Sequence, residues 1–375
     1  MLLRSISVER FRNIVEARVE PHPHFNVIEG DNGQGKTNLL EALGVLASLK
    51  SFRGARNRDL IADGADEATL RCRLLREGIE RDIRIDVIPR GRRVFLHDKP
   101  VRQLAEVYGL LNLVSFVPED VAIVRGAPAE RRLFADRMIF SAQPAYADEA
   151  SAFEDALRQR NAVLRDERPD RGLARAFESE LLRHGVTVAM RRQRYAHRLA
   201  PVLARTFSEI FDEGLPLEAQ WEGELLDPIS AAGGVVTEEA LHAAWSERLD
   251  RTWQADVGRG FTGTGPHRDD LRLLLDGRDA RVYASQGQQR AIVLALKISE
   301  IRLLEQQLGH APVLLLDDVS SELDARRNER LFGFLASFDG QVFISTTDVN
   351  HIRLHRPFER WHMVGGALTP RSTAP

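Results

Sequence analysis

The chain has 375 residues, of which 43% are hydrophobic and 29% are charged, a composition that excludes a wholly disordered protein and is typical of one large or two ordinary globular domains. Its one cysteine, Cys72, excludes an intramolecular disulfide and a metal site built on several cysteines. Because the formal net charge is −3, any surface for nucleic acid must be a local patch.

The first hundred residues predict strands around one helix. Residues 1–28 predict two strands around a turn, ending in an apolar run at 25–28. The polar, glycine-rich stretch 29–37 follows, and apolar residues then recur at helical spacing over 38–49. Over 68–97 apolar and polar residues alternate, which predicts an antiparallel meander.

The middle of the chain has a different pattern. Residues 117–213 are dense in charge and lack alternation, and their apolar residues recur at helical spacing. We therefore expect a helical insertion that contains a short antiparallel helix pair. Residues 214–260 are mixed, with a loop predicted at Gly233 and Gly234.

From Gly263 onwards, strand and helix patterns alternate again. Two apolar runs, 313–316 and 341–345, predict buried strands, and no regular structure is expected after Gly366. No stretch approaches 18 apolar residues, so we expect no membrane-spanning helix. The arginines near the N-terminus do not fit a secretory signal, and a cytoplasmic location is expected.

A complete phosphate-loop motif, G-x-x-x-x-G-K-[ST], lies between the first apolar strand and the first helix, as this motif requires. Lys36 would reach the β and γ phosphates of a nucleotide, and the Thr37 hydroxyl would bind Mg²⁺. The alternative is a glycine turn that binds no ligand. The full match to the motif argues against it, and so does the presence of a lysine at the required position, because lysine supplies only four of the 52 basic residues. The predicted nucleotide-binding residues are Gly30, Asp31, Asn32, Gly33, Gln34, Gly35, Lys36 and Thr37.

Two acids, Asp317 and Asp318, follow the apolar run at 313–316. An apolar strand that ends in acids is the expected partner of a phosphate loop, with Asp317 holding Mg²⁺ through water and Asp318 orienting or deprotonating the attacking water. Lys36, Asp317 and Asp318 are thus the catalytic candidates. About 280 residues separate the loop from these acids, so a large insertion must lie between the two halves of the site.

A third motif begins at Ser285 and precedes a long helical pattern. As an alternative, Ser285 is only the N-cap of that helix. However, the motif stands shortly before the acid strand, where the ABC ATPase superfamily has its signature, and 321–324 follow the acids as that superfamily's D-loop does. This resemblance implies that Ser285, Gly287 and Gln288 of one protomer cover the nucleotide of another, in an ATP-dependent dimer.

Both ends of the chain resemble the RecF family of bacterial recombination-repair ATPases, which is related to SMC-type heads. The resemblance implies an ATP-binding protein of DNA repair, replication restart and the SOS response. It also implies binding to single-stranded, duplex or gapped DNA, a RecR or RecOR partner, and slow, DNA-stimulated hydrolysis that acts as a switch. The matching segments are Phe11-Arg12-Asn13, the phosphate loop, Lys50-Ser51-Phe52-Arg53, and the segments 265–270, 285–290 and 314–324.

The chain departs from the general ABC pattern at two positions. Asp318 stands where glutamate is usual, which shortens the side chain by one methylene and predicts slower turnover. Thr346 and Thr347 stand where many ABC ATPases have a switch histidine, and a threonine can donate a hydrogen bond but cannot carry charge. Both departures favour a timer or switch over a motor.

Several arginines are weaker candidates. The family resemblance suggests that Arg12 contacts a nucleotide phosphate, although a surface arginine beside a strand is an equal alternative. Arg53, Arg56 and Arg58 form a basic loop that could meet DNA phosphates or could simply be solvated. The sequence assigns no function to the segment 265–270, and the alternative is that this segment is only a structural turn.

We therefore predict an α/β fold: an ABC-type P-loop ATPase domain, with a mixed sheet and an antiparallel β subdomain, plus an inserted helical lid. The ATPase domain would be split between 1–115 and 262–375, and the lid would span 116–261. The predicted cofactors are ATP and Mg²⁺. An ABC transporter ATPase subunit would need a fuller signature, a structural SMC-type tether would need hundreds of heptad residues, and an ATP-regulated nuclease would need an added acidic metal domain.

Overall fold

The computed structural model of the chain describes residues 1–211, 214–227, 236–319, 323–354 and 356–371. These residues form two compact units. The first unit combines 1–121 with 290–375, and the second is 122–289. The predicted loop at Gly233 and Gly234 and the first two residues of the predicted D-loop, 321 and 322, lie outside the described residues.

The first 121 residues contain strands, two helices and two short 3₁₀ turns. In chain order they are β1 (Leu2–Phe11), β2 (Ile14–Val19), β3 (Phe25–Glu29), α1 (Lys36–Ser48), α2 (Asn57–Leu60), β4 (Ala68–Arg76), β5 (Ile79–Ile88), β6 (Gly91–Leu96), β7 (Lys99–Pro100), the 3₁₀ turn Leu104–Glu106, β8 (Leu113–Phe116) and the 3₁₀ turn Pro118–Val121.

The rest of the chain begins with mainly helical elements and ends with strands. In chain order they are α3 (Ala122–Arg125), α4 (Pro128–Ala142), α5 (Tyr146–Leu164), α6 (Arg171–Ile210), β9 (Leu217–Glu222), α7 (Glu238–Arg259), β10 (Asp270–Leu275), β11 (Arg278–Asp279), α8 (Ala280–Tyr283), α9 (Gln286–Leu308), β12 (Val313–Asp317), α10 (Ala325–Ser337), β13 (Val342–Thr346), the 3₁₀ turn Val349–His351, β14 (Phe358–Val364) and β15 (Ala367–Pro370).

The first unit contains two six-stranded sheets. One is antiparallel, with the order β2-β1-β4-β5-β6-β7, and the other has the order β15-β14-β3-β13-β12-β8. In the second sheet β14, β3, β13, β12 and β8 run parallel, and β15 is antiparallel at one edge. Helix α1 contacts strands of both sheets, which is why it is buried on most of its circumference. The predicted α/β class and the predicted meander are confirmed.

The second unit packs helices around a small antiparallel sheet with the order β11-β10-β9. Helix α6 has 40 residues, contains Pro201 and packs on α5, α7 and β9. Its N-terminus is capped by Asp170, whose carboxylate accepts hydrogen bonds from the N–H groups of Gly172 and Leu173. Among the described residues, no helix combines the length and the apolar character that crossing a bilayer requires.

The units differ from the predicted domains at the second boundary. Strand β10 pairs with β9 from Asp270↔Glu222 to Leu275↔Leu217, and residues 262–289 belong to the second unit together with the inserted segment. The predicted division at 115/116 and 261/262 remains a prediction. The expectation of no regular structure after Gly366 is wrong for β15, which pairs with β14.

Candidate functional site

The phosphate loop connects β3, a central strand of the mixed sheet, to the N-terminus of α1. The Gly30 N–H donates to the Thr346 carbonyl of the neighbouring strand at 3.2 Å. The N-cap of α1 is Gly35, whose φ of +113° is in a region that favours glycine. The loop therefore leads directly into a helix N-terminus, where backbone N–H groups bind anions. Its exposed residues are Asp31, Asn32 and Gly33.

The turn between β14 and β15 holds the outer side of the loop. The Gly366 N–H donates to the Gln34 carbonyl at 2.9 Å, and the Gly365 N–H donates to the Gln34 side-chain Oε1 at 2.6 Å. A Cβ on Gly366 would lie 2.0 Å from the Asn13 carbonyl oxygen, so only glycine allows this approach. The sequence pattern gave no indication of this support, because it joins residues about 330 positions apart.

Lys36 is held by the loop itself. Its Nζ donates to the carbonyl oxygens of Gly30 at 2.7 Å and Asp31 at 2.9 Å, and the residue is buried. Burial lowers the pKa of the Lys36 ammonium, while the nearby charges of Asp318 and Asp317 act in the opposite direction. The loop lysine and the two acids are therefore close enough to interact electrostatically.

Asp317 and Thr37 converge at the carboxyl end of the parallel strands. The Thr37 hydroxyl donates to Asp317 Oδ1 at 3.0 Å, and the Ser345 hydroxyl donates to the same oxygen at 2.6 Å. A carboxylate and a hydroxyl at this separation are the oxygen ligands that Mg²⁺ prefers, so these residues fit the predicted metal. Ser345 was not predicted, although the parallel pairing of β12 and β13 places it beside Asp317.

Asp318 follows the end of β12 in a left-handed backbone conformation, with φ of +50°. Its N–H donates to Ser345 Oγ at 3.0 Å and lies 3.3 Å from the Ser345 carbonyl. The Thr346 hydroxyl donates to the Asp348 carbonyl at 2.9 Å. Ser345 thus binds both acids, which fixes the backbone turn that separates Asp317 from Asp318.

Arg12 forms a bidentate ion pair with Glu41 of α1. Its Nε and Nη2 each lie 2.9 Å from a Glu41 carboxylate oxygen, and Glu41 is fully buried. The neighbouring Asn13 donates to the Gly33 carbonyl at 3.4 Å and accepts from Asn38 at 2.8 Å. The structure therefore places Arg12 beside the phosphate loop, with its guanidinium engaged by a carboxylate that sequence reasoning did not identify.

The predicted DNA-binding arginines follow α1. We define the basic loop as residues 51–58. Arg53, Arg56 and Arg58 are all exposed, and Arg53 lies 3.7 Å from Glu119. The loop thus presents three guanidinium groups to solvent within the first unit.

The Ser285 motif lies in the second unit, at the start of α9. The Gln288 N–H donates to Ser285 Oγ at 3.3 Å, and the Ser285 N–H donates to Gln288 Oε1 at 2.8 Å. This reciprocal pair is a capping box and confirms that Ser285 caps the helix. Val282 and Tyr283 just before it are 68% and 65% exposed, so apolar surface adjoins the motif.

The segment 265–270, which received no role from the sequence, is a packing centre of the second unit. Arg192, itself buried, donates to the Pro266 carbonyl at 2.8 Å. Arg131 forms a bidentate pair with Asp270 at 2.7 and 2.8 Å. Helices α6 and α4 therefore both bind this segment, which supports the structural alternative.

Two titratable groups in this segment have displaced pKa values. The His267 Nε2–H donates to the Thr262 carbonyl at 2.9 Å, and burial lowers the pKa of His267 to about 4. Asp269 accepts from Trp221 Nε1 at 3.3 Å, and burial raises the pKa of its carboxyl to about 7, although Trp221 and the guanidinium of Arg192 oppose the change.

Known proteins resemble this chain over its whole length. The family described as RecF/RecN/SMC N terminal domain matches residues 2–364. The DNA replication and repair protein RecF of Anaeromyxobacter sp. (strain Fw109-5) is 43% identical over 93% of each chain, and that of Myxococcus xanthus (strain DK1622) is 40% identical over 94% of this chain and 92% of the relative.

Solved structures extend this similarity to the fold. A structure described as the recombination mediator protein RecF-ATP in the RecFOR pathway superposes with a TM-score of 0.90 at 29% identity, covering 99% of this chain and 98% of the other. The Smc head domain of Pyrococcus furiosus has a TM-score of 0.55 at 17% identity, covering 99% and 96%. The second likeness concerns the fold alone.

Proposed function

This chain belongs to the RecF family of DNA replication and repair proteins, and on this premise we propose that it is an ATP-controlled clamp on DNA. Its role in DNA repair depends on ATP. In the proposed cycle, ATP binding brings two copies together on DNA, and slow hydrolysis separates them.

The convergence of Lys36, Thr37 and Asp317 is the observation that carries this proposal. The Lys36 ammonium lies at the loop, and the Thr37 hydroxyl contacts Asp317 at 3.0 Å. Lys36 would pair with the β and γ phosphates, while N–H groups of the loop and of the first turn of α1 would bind phosphate oxygens. Thr37 and Asp317 would hold Mg²⁺, which would neutralise the charge of the phosphates.

Asp318 would orient the attacking water. Its neighbour Asp317 is bound by two hydroxyls, whereas the Asp318 backbone is fixed by Ser345, so the two acids can have separate roles. Arg12, beside the loop, would contact a nucleotide phosphate through Nη1, the guanidinium nitrogen that its pair with Glu41 does not use.

Ser285, Gly287 and Gln288 would close over the nucleotide of a second copy. Support comes from the exposed capping box and from the exposed Val282 and Tyr283 beside it, since solvent-exposed apolar side chains are expected where two surfaces meet. The resulting dimer would contain two composite sites.

DNA would bind through the basic loop, whose three arginines can neutralise phosphates and release counterions. The relatives act in DNA replication and repair, and one is described in the RecFOR pathway. We therefore propose a RecR or RecOR mediator as a partner. We also propose a cytoplasmic location, because bacterial DNA is in the cytoplasm.

Sedimentation velocity tests the nucleotide, the dimer and the DNA together. The parent chain should sediment as a dimer with ATP and Mg²⁺ and should form a larger complex with gapped duplex DNA. Lys36→Met should stay monomeric with ATP, because the γ-phosphate loses its charged partner. Lys99→Met, which removes an exposed lysine of β7, is the matched control and should dimerise. Parental dimerisation of Lys36→Met would refute the assignment of the phosphate loop.

A further inference from the structure

Glu41 is a buried carboxylate that binds two separate parts of the first unit. It lies in α1, five residues after Lys36, and its side chain is fully buried. Arg12 donates to both of its oxygens, and the Ser51 hydroxyl donates to Oε1 at 2.5 Å. A buried charge is stable only when it is paired. Arg12 and Ser51 both bind the Glu41 carboxylate, so the positions of these two residues are linked through it.

Ser51 shapes the beginning of the basic loop. Its Oγ donates to Glu41 and accepts from the N–H of Arg53 at 3.0 Å and the N–H of Ala55 at 3.3 Å. The position of Glu41 therefore fixes the backbone that carries the first of the three exposed arginines.

The end of β1 and the β1–β2 turn hold the segment that directly follows the basic loop. The Arg12 N–H donates to the Leu60 carbonyl at 2.9 Å, and the Ala62 N–H donates to the Arg10 carbonyl at 2.9 Å. Arg12 thus holds both ends of the segment that contains the basic loop: its side chain acts through Glu41, and its backbone acts directly.

The same turn also contacts the phosphate loop. Asn13, next to Arg12, donates to the Gly33 carbonyl and accepts from Asn38. Its side-chain oxygen lies 2.8 Å from the position that a Cβ of Gly35 would occupy. A displacement of the phosphate loop would therefore shift Asn13, and a displacement of the basic loop would shift Glu41 and Arg12.

We propose that Glu41 is a positioning residue that couples nucleotide binding at the phosphate loop to DNA binding at the basic loop. The inference rests on the proposed function and adds the regulation of its site. Coupling of this kind is reciprocal: the factor by which DNA changes the affinity for nucleotide equals the factor by which nucleotide changes the affinity for DNA.

The test measures that coupling factor. The dissociation constant of a non-hydrolysable ATP analogue is determined with Mg²⁺, without and with saturating gapped duplex DNA, and the reverse titration must give the same ratio. The parent should show a factor of about five or more, in the typical range of coupling between two sites.

Ser51→Ala removes one bond to Glu41 and leaves the Arg12 pair intact. Its coupling factor should fall towards one, while the analogue without DNA binds within about twofold of the parent. Ser48→Ala is the matched control, since the Ser48 hydroxyl bonds the Gly44 and Lys50 carbonyls and not Glu41, and it should keep the parental factor. Glu41→Gln, which removes the shared charge, should also bring the factor towards one.

Other results would overturn the inference. If the parent binds both ligands with a factor of one, or if Ser51→Ala keeps the parental factor, Glu41 does not couple the loops. A loss of affinity for both ligands in Ser51→Ala with an unchanged factor would show a purely structural role. If the parent binds neither ligand, the proposed function fails and this inference fails with it.

Discussion

His267 and Asp269 of the second unit have pKa values displaced in opposite directions, which predicts a specific response of stability to pH. The pKa of folded His267 is about 4, below its ordinary 6.5. Between these values the unfolded chain binds a proton that the folded chain does not, so His267 makes stability fall on acidification. The pKa of folded Asp269 is about 7, above its ordinary 3.8, so Asp269 makes stability fall as the pH rises.

The two effects should nearly cancel in the parent. Between pH 5 and pH 7 each displaced pKa corresponds to about 2 kcal/mol of stability, with opposite sign. Single substitutions should therefore reveal opposite slopes. Asp269→Asn, a neutral isostere, should gain about 2 kcal/mol from pH 5 to pH 7, whereas His267→Gln should lose about 2 kcal/mol over the same range.

Urea unfolding at pH 5, 6 and 7, followed by tryptophan fluorescence, is a suitable assay. Three of the four tryptophans lie in the second unit, so the signal reports mainly on the unit that contains both groups. The comparison is the pH slope of each variant relative to the parent, which cancels the contribution of all other groups. Slopes equal to the parental slope in both variants would refute the reasoning about these buried groups.

Three further predictions concern the proposed cycle. Ser285→Arg should still bind ATP as a monomer but lose dimerisation in sedimentation, because the cation would occupy the docking position of the opposing nucleotide; a monomer that cannot bind ATP would place Ser285 in its own protomer's site or fold. The triple variant Arg53/Arg56/Arg58→Ala should bind DNA more weakly and should bind ATP as the parent does. Its plot of log affinity against log salt should be less steep than the parental plot by roughly two to three units of slope. An unchanged slope would place the DNA surface elsewhere. Asp318→Asn should slow hydrolysis and prolong the ATP dimer on DNA, and a parental ATPase rate would contradict its role with the attacking water.

The sequence was informative wherever a motif and its structural context are contiguous. The phosphate loop between β3 and α1, the strand that ends at Asp317 and the cap at Ser285 were all predicted. Glu41 was not predicted, because an acid on a helix normally faces solvent, and only the packing of α1 against both sheets buries it. The sequence also missed the pairing of β9 with β10, since these strands lie about 50 residues apart and one stands alone among helices.

The strand order of the mixed sheet has a consequence for synthesis on the ribosome. Strand β3, completed within the first 30 residues, pairs on one side with β13 and on the other with β14. The sheet behind the phosphate loop therefore cannot assemble until more than 340 residues have emerged, whereas the second unit is one continuous segment. Because non-local pairing is slow and domains fold as units during translation, the inserted unit should acquire protease resistance on nascent chains before the nucleotide site exists.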